Sequence, residues 1–172
     1  MKPGGVVVLV VSVAIFFGGI VVGLNLLTQE GQVTSSAPTC EMRTVHEGEE
    51  LTPNLVHVNV YNASRTAGLA DRVSRLLQQR NFLPGTIANN PTDITTNDVV
   101  IIAADDEDPR VKLVAGQFIG KVTVQPGDIA GTDGISVLIG RNYAEKGLNK
   151  KAIDKVESDR TISSCIPYAP DL

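Results

Sequence analysis

The sequence predicts an α/β fold, a two-layer sandwich in which a mixed sheet of about five strands packs against two main helices, preceded by one N-terminal transmembrane helix. Three observations predict this fold. Residues 56–60 alternate apolar and polar side chains and are followed by an amphipathic segment at residues 69–77. Residues 99–103 are an uninterrupted apolar run of strand length, as in a central strand covered on both faces. Residues 6–27 are apolar over the length of a membrane span.

The first strand, turn and helix are predicted from residues 56–82. Every second residue at the start of this segment is valine, so one face of the strand is apolar. Short polar residues and Gly68 then favour a turn, because such side chains bond nearby backbone groups and glycine permits positive φ. Apolar residues recur at helical spacing through residues 69–77, with Asp71 in the first turn of the helix. Asn81 is predicted to end the helix in a left-handed conformation.

The second helix is predicted after the central strand. Asp108 suits its N-cap and Pro109 its first residue, and apolar residues recur at helical spacing from Val111 to Phe118. Further strands are predicted at residues 86–88, 121–125 and 135–139, and a short helix at residues 150–157 with Ile153 and Val156 as its apolar pair. The order strand, helix, strand, strand, helix, strand, strand favours a mixed sheet with both helices on one face.

The N-terminal segment is predicted to hold the protein in the cell membrane. The apolar run at residues 6–27 can cross about 30 Å of hydrocarbon and is longer than that of a cleaved signal. Lys2 precedes the run and Glu30 is the first charge after it, so we expect a single-pass protein with a cytoplasmic N-terminus and an extracytoplasmic C-terminal domain. Gly19 and Gly23 have a spacing that lets membrane helices approach closely, which gives a self-association hypothesis. Glycine is, however, common in membrane helices for other reasons.

The 172 residues leave room for one small domain beyond the anchor. We predict the cytoplasmic N-terminus and transmembrane helix at residues 1–27 and an extracytoplasmic linker, rich in Ser, Thr, Glu and Gly, at residues 28–54. The domain itself is predicted at residues 55–143, followed by a C-terminal extension that carries Cys165 at residues 144–172.

Charge and aromatic content argue against two classes of ligand. The net charge of −4 and the pI of about 5.1 disfavour nucleic acid, because phosphate backbones need clustered Lys and Arg. The chain has no Trp, and its three Tyr are scattered, which disfavours a stacking platform for sugars. No cofactor is predicted.

Cys40 and Cys165 flank the predicted domain. In an exported compartment an even number of thiols is most simply a disulfide, so we predict that these two are joined. A metal site would need more ligands than these cysteines, His46 and His57 offer at their scattered spacings, and no metal is predicted.

Ser64 is the candidate nucleophile of the chain, with His57 as base and Asp71 as the residue that orients it. The Gly-x-Ser-x-Gly sequence of many serine hydrolases is missing, and a turn-stabilising role for Ser64 is favoured. Asn62 is likewise interpreted first as the residue of an Asx-turn. The chain is therefore predicted not to be an enzyme, and an envelope-metabolism hydrolase that uses Ser64 is the alternative.

The same turn offers a second interpretation as an anion contact. Free backbone N–H groups at a helix start favour negative charge, and Arg65 lies in the turn that leads through Gly68 to Leu69. Phosphate on a lipid carrier would fit such a turn. A lone glycine is a weak phosphate signal, so the structural interpretation of these residues is favoured over the ligand contact.

Residues 58–70 resemble the opening motif of the LytR C-terminal domain family, in which a strand runs into Asn-x-Ser/Thr, three residues, and Gly-Leu-Ala on a helix. The resemblance covers residues 55–143. In that family the domain often follows a phosphotransferase domain that attaches glycopolymers to peptidoglycan, and that catalytic domain is absent from this sequence, so its activity is not expected here. The resemblance implies a stand-alone, membrane-anchored module of an actinobacterial cell envelope. Its implied partners are the bilayer, through residues 6–27, and an envelope protein, lipid or glycopolymer.

Overall fold

The computed structural model describes residues 40–167. Within this range the chain forms nine strands, two α-helices and two short 3-10 helices. In chain order they are β1 (Cys40–Val45), β2 (Glu50–Leu51), a 3-10 helix (Pro53–Leu55), β3 (His57–Asn62), α1 (Leu69–Gln78), β4 (Leu83–Asn89), β5 (Val99–Ala103), α2 (Pro109–Ala115), β6 (Val122–Pro126), β7 (Ile135–Ile139), a 3-10 helix (Arg141–Tyr143), β8 (Val156–Glu157) and β9 (Ile162–Pro167).

Five strands form a central mixed sheet in the order β4-β3-β7-β5-β6. Strand β3 runs parallel to both β4 and β7, whereas β5 is antiparallel to β7 and parallel to β6. Each helix connects two neighbouring parallel strands, α1 between β3 and β4 and α2 between β5 and β6. The predicted mixed sheet, its two helices and their order along the chain are confirmed.

Both helices cover the same face of this sheet. Val73 of α1 and Val114 of α2 are buried in one cluster with Val60, Ile101 and Val137, which come from β3, β5 and β7. Because side chains alternate along a strand, the intervening residues point to the opposite face. The predicted arrangement, with the helices on one face, is therefore confirmed.

The opposite face carries a smaller apolar cluster under loops. Its members are Tyr61, Val100, Ile102 and Leu138, and the loop residues Ala63, Ile94 and Ile129 pack against it. Strands β5 and β7 are consequently buried on both faces, which explains why their sequences are apolar at every position or nearly so.

Local sequence determines where the helices begin and end. Gly68, immediately before α1, has a φ of 70°, a left-handed conformation that favours glycine. The side chain of Asp108 accepts a hydrogen bond from the backbone N–H of Arg110 at 2.8 Å, and Pro109 is the first residue of α2. Asn81 has a φ of 67°, so the predicted left-handed residue after α1 is confirmed.

Residues 40–54 differ from the predicted linker. Strand β1 pairs in antiparallel orientation with β9, and β2 pairs in the same way with β8. The partners come from the predicted C-terminal extension, so both ends of the described chain belong to the folded domain. This pairing depends on main-chain hydrogen bonds between distant segments. Because Glu41, Met42 and Arg43 stay exposed in β1, the strand needs no alternation of apolar residues and shows none.

The predicted helix at residues 150–157 is wrong. Residues 150–155 form turns and irregular chain, and Val156–Glu157 are strand β8. The backbone near β8 forms hydrogen bonds with a distant segment instead of the bonds of a helix. The N–H of Ser158 donates to the carbonyl oxygen of Glu49 at 2.9 Å. Ile153, one of the apolar pair of the predicted helix, is 47% exposed. Two apolar residues were too weak a signal for a helix.

Strands β1 and β9 form a two-stranded ribbon that a disulfide closes. Cys40 and Cys165 are bonded, with their Cα atoms 5.4 Å apart, as the sequence predicts. Ser164 ties the ribbon to the rest of the domain, because its Oγ donates to the carbonyl oxygen of Leu55 at 2.6 Å. An isolated two-stranded ribbon is marginally stable, so these ties hold it in place.

An ionic cluster fixes the chain just before β9. The Arg160 guanidinium donates to the carboxylate of Asp105 and to that of Asp159, the latter at 2.7 Å from Nε to Oδ1. These hydrogen bonds hold the pKa of Asp105 and the pKa of Asp159 below their usual values.

Within residues 40–167 no helix is long and apolar enough to cross a membrane. The predicted transmembrane helix at residues 6–27, with Gly19 and Gly23, lies outside the described residues, as do residues 28–39 of the predicted linker.

Candidate binding groove

The sequence motif lies at the edge of the sheet where three parallel strands end. Asn62, Asn89 and Ile139 are the last residues of β3, β4 and β7, and the antiparallel β5 begins at the same edge with Val99. From here the chain after β3 turns into α1, whereas the chain after β7 turns into the 3-10 helix at Arg141–Tyr143. A crevice between strands whose connections diverge at their carboxyl ends is a common ligand site in α/β sheets.

The polar side-chain atoms of the predicted motif residues Asn62 and Ser64 form hydrogen bonds within the turn itself. Asn62 Oδ1 accepts from the backbone N–H of Ser64 at 3.0 Å and from its Oγ at 2.7 Å. Asn62 Nδ2 donates to the carbonyl oxygen of Thr66 at 2.8 Å, and the N–H of Thr66 donates to Ser64 Oγ at 3.1 Å. Gly68 then turns the chain into α1, and Leu69 is buried in the core. These contacts support the structural interpretation of the motif.

A second turn of the same design follows β4, at the Asn89-Asn90-Pro91 segment that the sequence predicts to be a turn. Asn90 Oδ1 accepts from the N–H and the Oγ1 of Thr92 at 2.9 and 2.7 Å, and Asn90 Nδ2 donates to the carbonyl oxygen of Ile94 at 2.8 Å. The N–H of Ile94 donates to Thr92 Oγ1 at 3.2 Å, which completes the same set of bonds. The shared Asn-x-Ser/Thr sequence was the signal for this second turn.

The loops at this edge enclose a groove of about 670 Å³, here called the arginine groove. It is lined by Ala63, Ser64, Arg65, Thr66, Thr95, Thr96, Asn97 and Arg141. The lining contains two guanidinium groups from different loops, several hydroxyl groups, and no carboxylate. Of the predicted motif residues, the groove thus brings together Ser64 and Arg65.

Arg141 was not among the predicted site residues, and Gly140 explains its position. A Cβ at Gly140 would lie 2.3 Å from the backbone carbon of Asn97, so only glycine lets the loop before β5 pack this closely. The N–H of Gly140 donates to the carbonyl oxygen of Asp98 at 2.7 Å, and the N–H of Asn142 donates to that of Asn97 at 2.7 Å. These bonds hold the backbone on both sides of Arg141 against the loop that forms the groove.

A second groove, of about 570 Å³, adjoins the first and shares Ala63, Ser64 and Thr95 with it. It is lined by the two asparagine turns and carries one carboxylate, that of Asp93. The two arginines therefore line one groove, and Asp93 lines its neighbour.

The structure does not assemble the alternative catalytic set. His57 begins β3 and Ser64 follows its end, so at about 3.3 Å per residue they lie roughly 20 Å apart. The Nε2 of His57 lies 2.8 Å from the carbonyl oxygen of Cys165, and Asp71 pairs with Arg75 at 2.5 Å. His57 and Asp71 therefore have other partners, and the alternative set with Ser64 is not brought together.

Metal ligation finds no support in the described part of the chain. Among residues 40–167 no group of three or more His, Cys, Asp or Glu side chains is placed to hold a metal ion. Both cysteines are used in the disulfide.

An α/β domain with a polar groove at the carboxyl edge of its parallel strands is thus the class that the fold and the site define. The chain belongs to the family described as LytR cell envelope-related transcriptional attenuator, whose match spans residues 55–143. This confirms the family resemblance and its predicted extent.

A solved structure with a similar chain is the soluble domain of a conserved hypothetical secreted protein from Mycobacterium marinum. The identity is 17% over 67% of this chain and 79% of the other, with a TM-score of 0.43. No curated protein matches the chain in sequence.

Proposed function

We propose that this protein is a membrane-anchored, non-enzymatic module outside the cytoplasm, which supports cell-envelope integrity by binding a protein partner or an envelope lipid or polymer. Three observations support the proposal. The family is envelope-related. The Cys40–Cys165 disulfide suits an oxidising compartment. The predicted span at residues 6–27 would hold the module at the membrane. In this arrangement the chain resembles the actinobacterial envelope integrity protein Cei.

The single observation that carries the proposal is that the residues of the motif have two different roles: some form the turn, and one lines the groove. Asn62 and Ser64 direct their polar atoms into the turn, which leaves no activated nucleophile in the arginine groove. Arg65, in the same turn, is exposed and lines the groove. A rigid turn that presents a charged side chain suits binding better than covalent chemistry.

Cross-linking in living cells tests the binding role. A photoreactive residue replaces Thr95, which is exposed and lines the arginine groove, or Thr161, which is exposed and lies just before β9 as a matched control. We expect adducts with an envelope protein, lipid or polymer from position 95 that position 161 does not give. Identical adducts from the two positions would contradict a role for the groove.

Complementation of a deletion strain separates the module from the hydrolase alternative. The second turn shows that threonine fits this geometry, because Thr92 makes the bonds that Ser64 makes. Ser64→Thr is therefore expected to keep the turn and full complementation, and Ser64→Ala to keep complementation wherever the protein accumulates. Loss of function in both variants, with normal folding and abundance, would favour a nucleophilic Ser64.

A further inference from the structure

We infer that Arg65 and Arg141 together bind the phosphate group of an envelope component in the arginine groove. The inference rests on the proposed function and names its ligand class. It concerns a cation pair that the motif alone does not contain, since Arg141 comes from the chain after β7.

The charge of the arginine groove differs from that of the whole protein. The chain carries a net charge of −4, yet the arginine groove has two arginines and no acidic side chain in its lining. Asp93 lines the adjoining groove and not this one, and the carboxylate of Asp98, next to Asn97, accepts a hydrogen bond from Asn142 Nδ2 at 3.1 Å. The local field therefore favours an anion against the overall charge of the protein.

The guanidinium groups of Arg65 and Arg141 lack a protein acceptor among residues 40–167. Every other arginine in that range has one: Arg43, Arg75, Arg110 and Arg160 pair with carboxylates, Arg72 donates to the carbonyl oxygens of Tyr143 and Ala144, and Arg80 donates to Gln117 Oε1. Arg65 and Arg141 are thus the arginines whose donors are available to a ligand in the groove.

Hydrogen bonds already fix the backbone at both arginines. Arg65 lies inside the turn closed by Asn62 and Ser64, and Arg141 follows Gly140, whose N–H is bonded to Asp98. Binding therefore requires only the ordering of two side chains, which keeps its entropic cost low.

The donors and the size of the arginine groove suit a phosphate ester. A guanidinium fork matches a phosphate oxyanion, and two forks suit its charge and number of oxygens better than they suit a single carboxylate. Thr96 Oγ1 accepts from the N–H of Asp98 at 3.1 Å, which leaves its own O–H as a donor for the ligand. A groove of about 670 Å³ exceeds a phosphate ion, so it also accommodates the glycerol or sugar to which the phosphate is esterified.

Calorimetric titration of the full chain in dodecyl maltoside micelles tests the inference. Three probes are compared: glycerol 3-phosphate, dioctanoyl phosphatidic acid, and dioctanoylglycerol, which lacks the phosphate. We expect binding of a phosphate probe that weakens with added NaCl and no comparable binding of dioctanoylglycerol. Much tighter binding of phosphatidic acid than of glycerol 3-phosphate identifies a lipid headgroup, and similar affinities identify a phosphate ester irrespective of lipid.

Matched variants assign the binding to the groove. Arg65→Gln and Arg141→Gln are each expected to weaken phosphate binding by about tenfold or more, and the double variant to abolish it. Arg43→Gln removes the same charge from the exposed ribbon, at the other end of the domain, and is expected to bind like the wild type. Absence of phosphate binding, equal binding of dioctanoylglycerol, or equal weakening by Arg43→Gln overturns the inference.

Different results would overturn the envelope role and the phosphate binding. If deletion of the gene leaves the envelope unchanged, the proposed function fails whatever the titrations give. If the deletion sensitises the envelope and the Arg65→Gln/Arg141→Gln variant fully complements it, the module stands and a phosphate role in it is overturned.

Discussion

The backbone N–H of Asn90 donates a hydrogen bond to the carbonyl oxygen of Asn62 at 3.0 Å, which joins the two asparagine turns directly. Each asparagine organises the turn after its own strand, and this bond couples the two turns across β3 and β4. The edge of the sheet that bears both grooves therefore depends on two side chains of the same type, each of which organises its own turn.

Replacement of either asparagine is predicted to destabilise this edge. Asn62→Ala and Asn90→Ala each remove two accepted hydrogen bonds and one donated bond, so we expect a loss of about 1–3 kcal/mol in the free energy of unfolding. Urea denaturation of the full chain measures this loss. Asn89→Ala is the control, because Asn89 is exposed, and its effect should stay within about 0.5 kcal/mol. Equal effects of all three changes would contradict the turn assignment.

Gly140→Ala is predicted to disrupt the arginine groove through its backbone. The added Cβ would meet the backbone of Thr96 and Asn97 at 2.3–2.6 Å, and a backbone cannot yield as a flexible side chain can. We expect a loss of about 1–3 kcal/mol in the free energy of unfolding and weaker cross-linking from position 95. Gly147→Ala provides the comparison, since a Cβ there has no atom within 4 Å. A Gly140→Ala protein as stable as Gly147→Ala would show that the loop packs less tightly than described.

Reduction of the disulfide is predicted to release the ribbon before the sheet. Cys40 and Cys165 are separated by 125 positions, and on the chain-entropy model closure of so long a loop stabilises the fold by up to about 5 kcal/mol. Hydrogen exchange under reducing conditions should accelerate first in β1 and β9, while β3 and β7 keep their protection. A Cys40→Ser/Cys165→Ser protein should not respond to the reductant. Simultaneous loss of protection in every strand would mean that ribbon and sheet unfold as one unit.

Tyr143→Phe is predicted to change stability in a pH-dependent way. Burial raises the pKa of the Tyr143 phenol, and its hydroxyl donates to the carbonyl oxygen of Gly147 at 2.7 Å. Because the folded protein holds this proton more tightly than the unfolded chain, the stabilisation is complete below pH of about 10 and is lost as the pH rises further.

Thermal unfolding of wild type and Tyr143→Phe between pH 7 and 11 measures the effect. The variant should lose about 0.5–1.5 kcal/mol at neutral pH, since it lacks the hydroxyl but keeps the edge-to-face contact with Phe118, whose ring centroid is 5.4 Å away. It should also lack the part of the alkaline decline that Tyr143 causes. Parallel declines in the two proteins would exclude Tyr143 as the titrating group.

The central sheet could be predicted because its signals are local. Alternation in β3, continuous apolar runs in β5 and β7, and the Asp108–Pro109 start of α2 are each visible within a few residues of sequence. The outer ribbons could not be predicted in the same way. Strands β1 and β9 are held by main-chain pairing and a disulfide. Because β1 is largely exposed and β9 mostly half-buried, their residues carry little apolar periodicity.

The arginine groove was predictable only in part, because some of its residues form a local motif and others come from distant segments. Asn62, Ser64, Arg65 and Gly68 stand together in sequence and form one turn, so a motif could reveal them. Arg141 enters the groove because β7 lies beside β3, a neighbour relation set by the topology of the sheet and by the close packing at Gly140. No local pattern encodes that relation.

The disulfide between Cys40 and Cys165 also has a mechanical consequence. The two ends of the described domain meet at one covalent bond, so tension that enters at one end passes to the other without crossing the sheet. Tension applied between the chain before β1 and the chain after β9 would therefore be carried by a sulfur–sulfur link. Under such a load the five-stranded sheet and the groove at its edge would keep their shape.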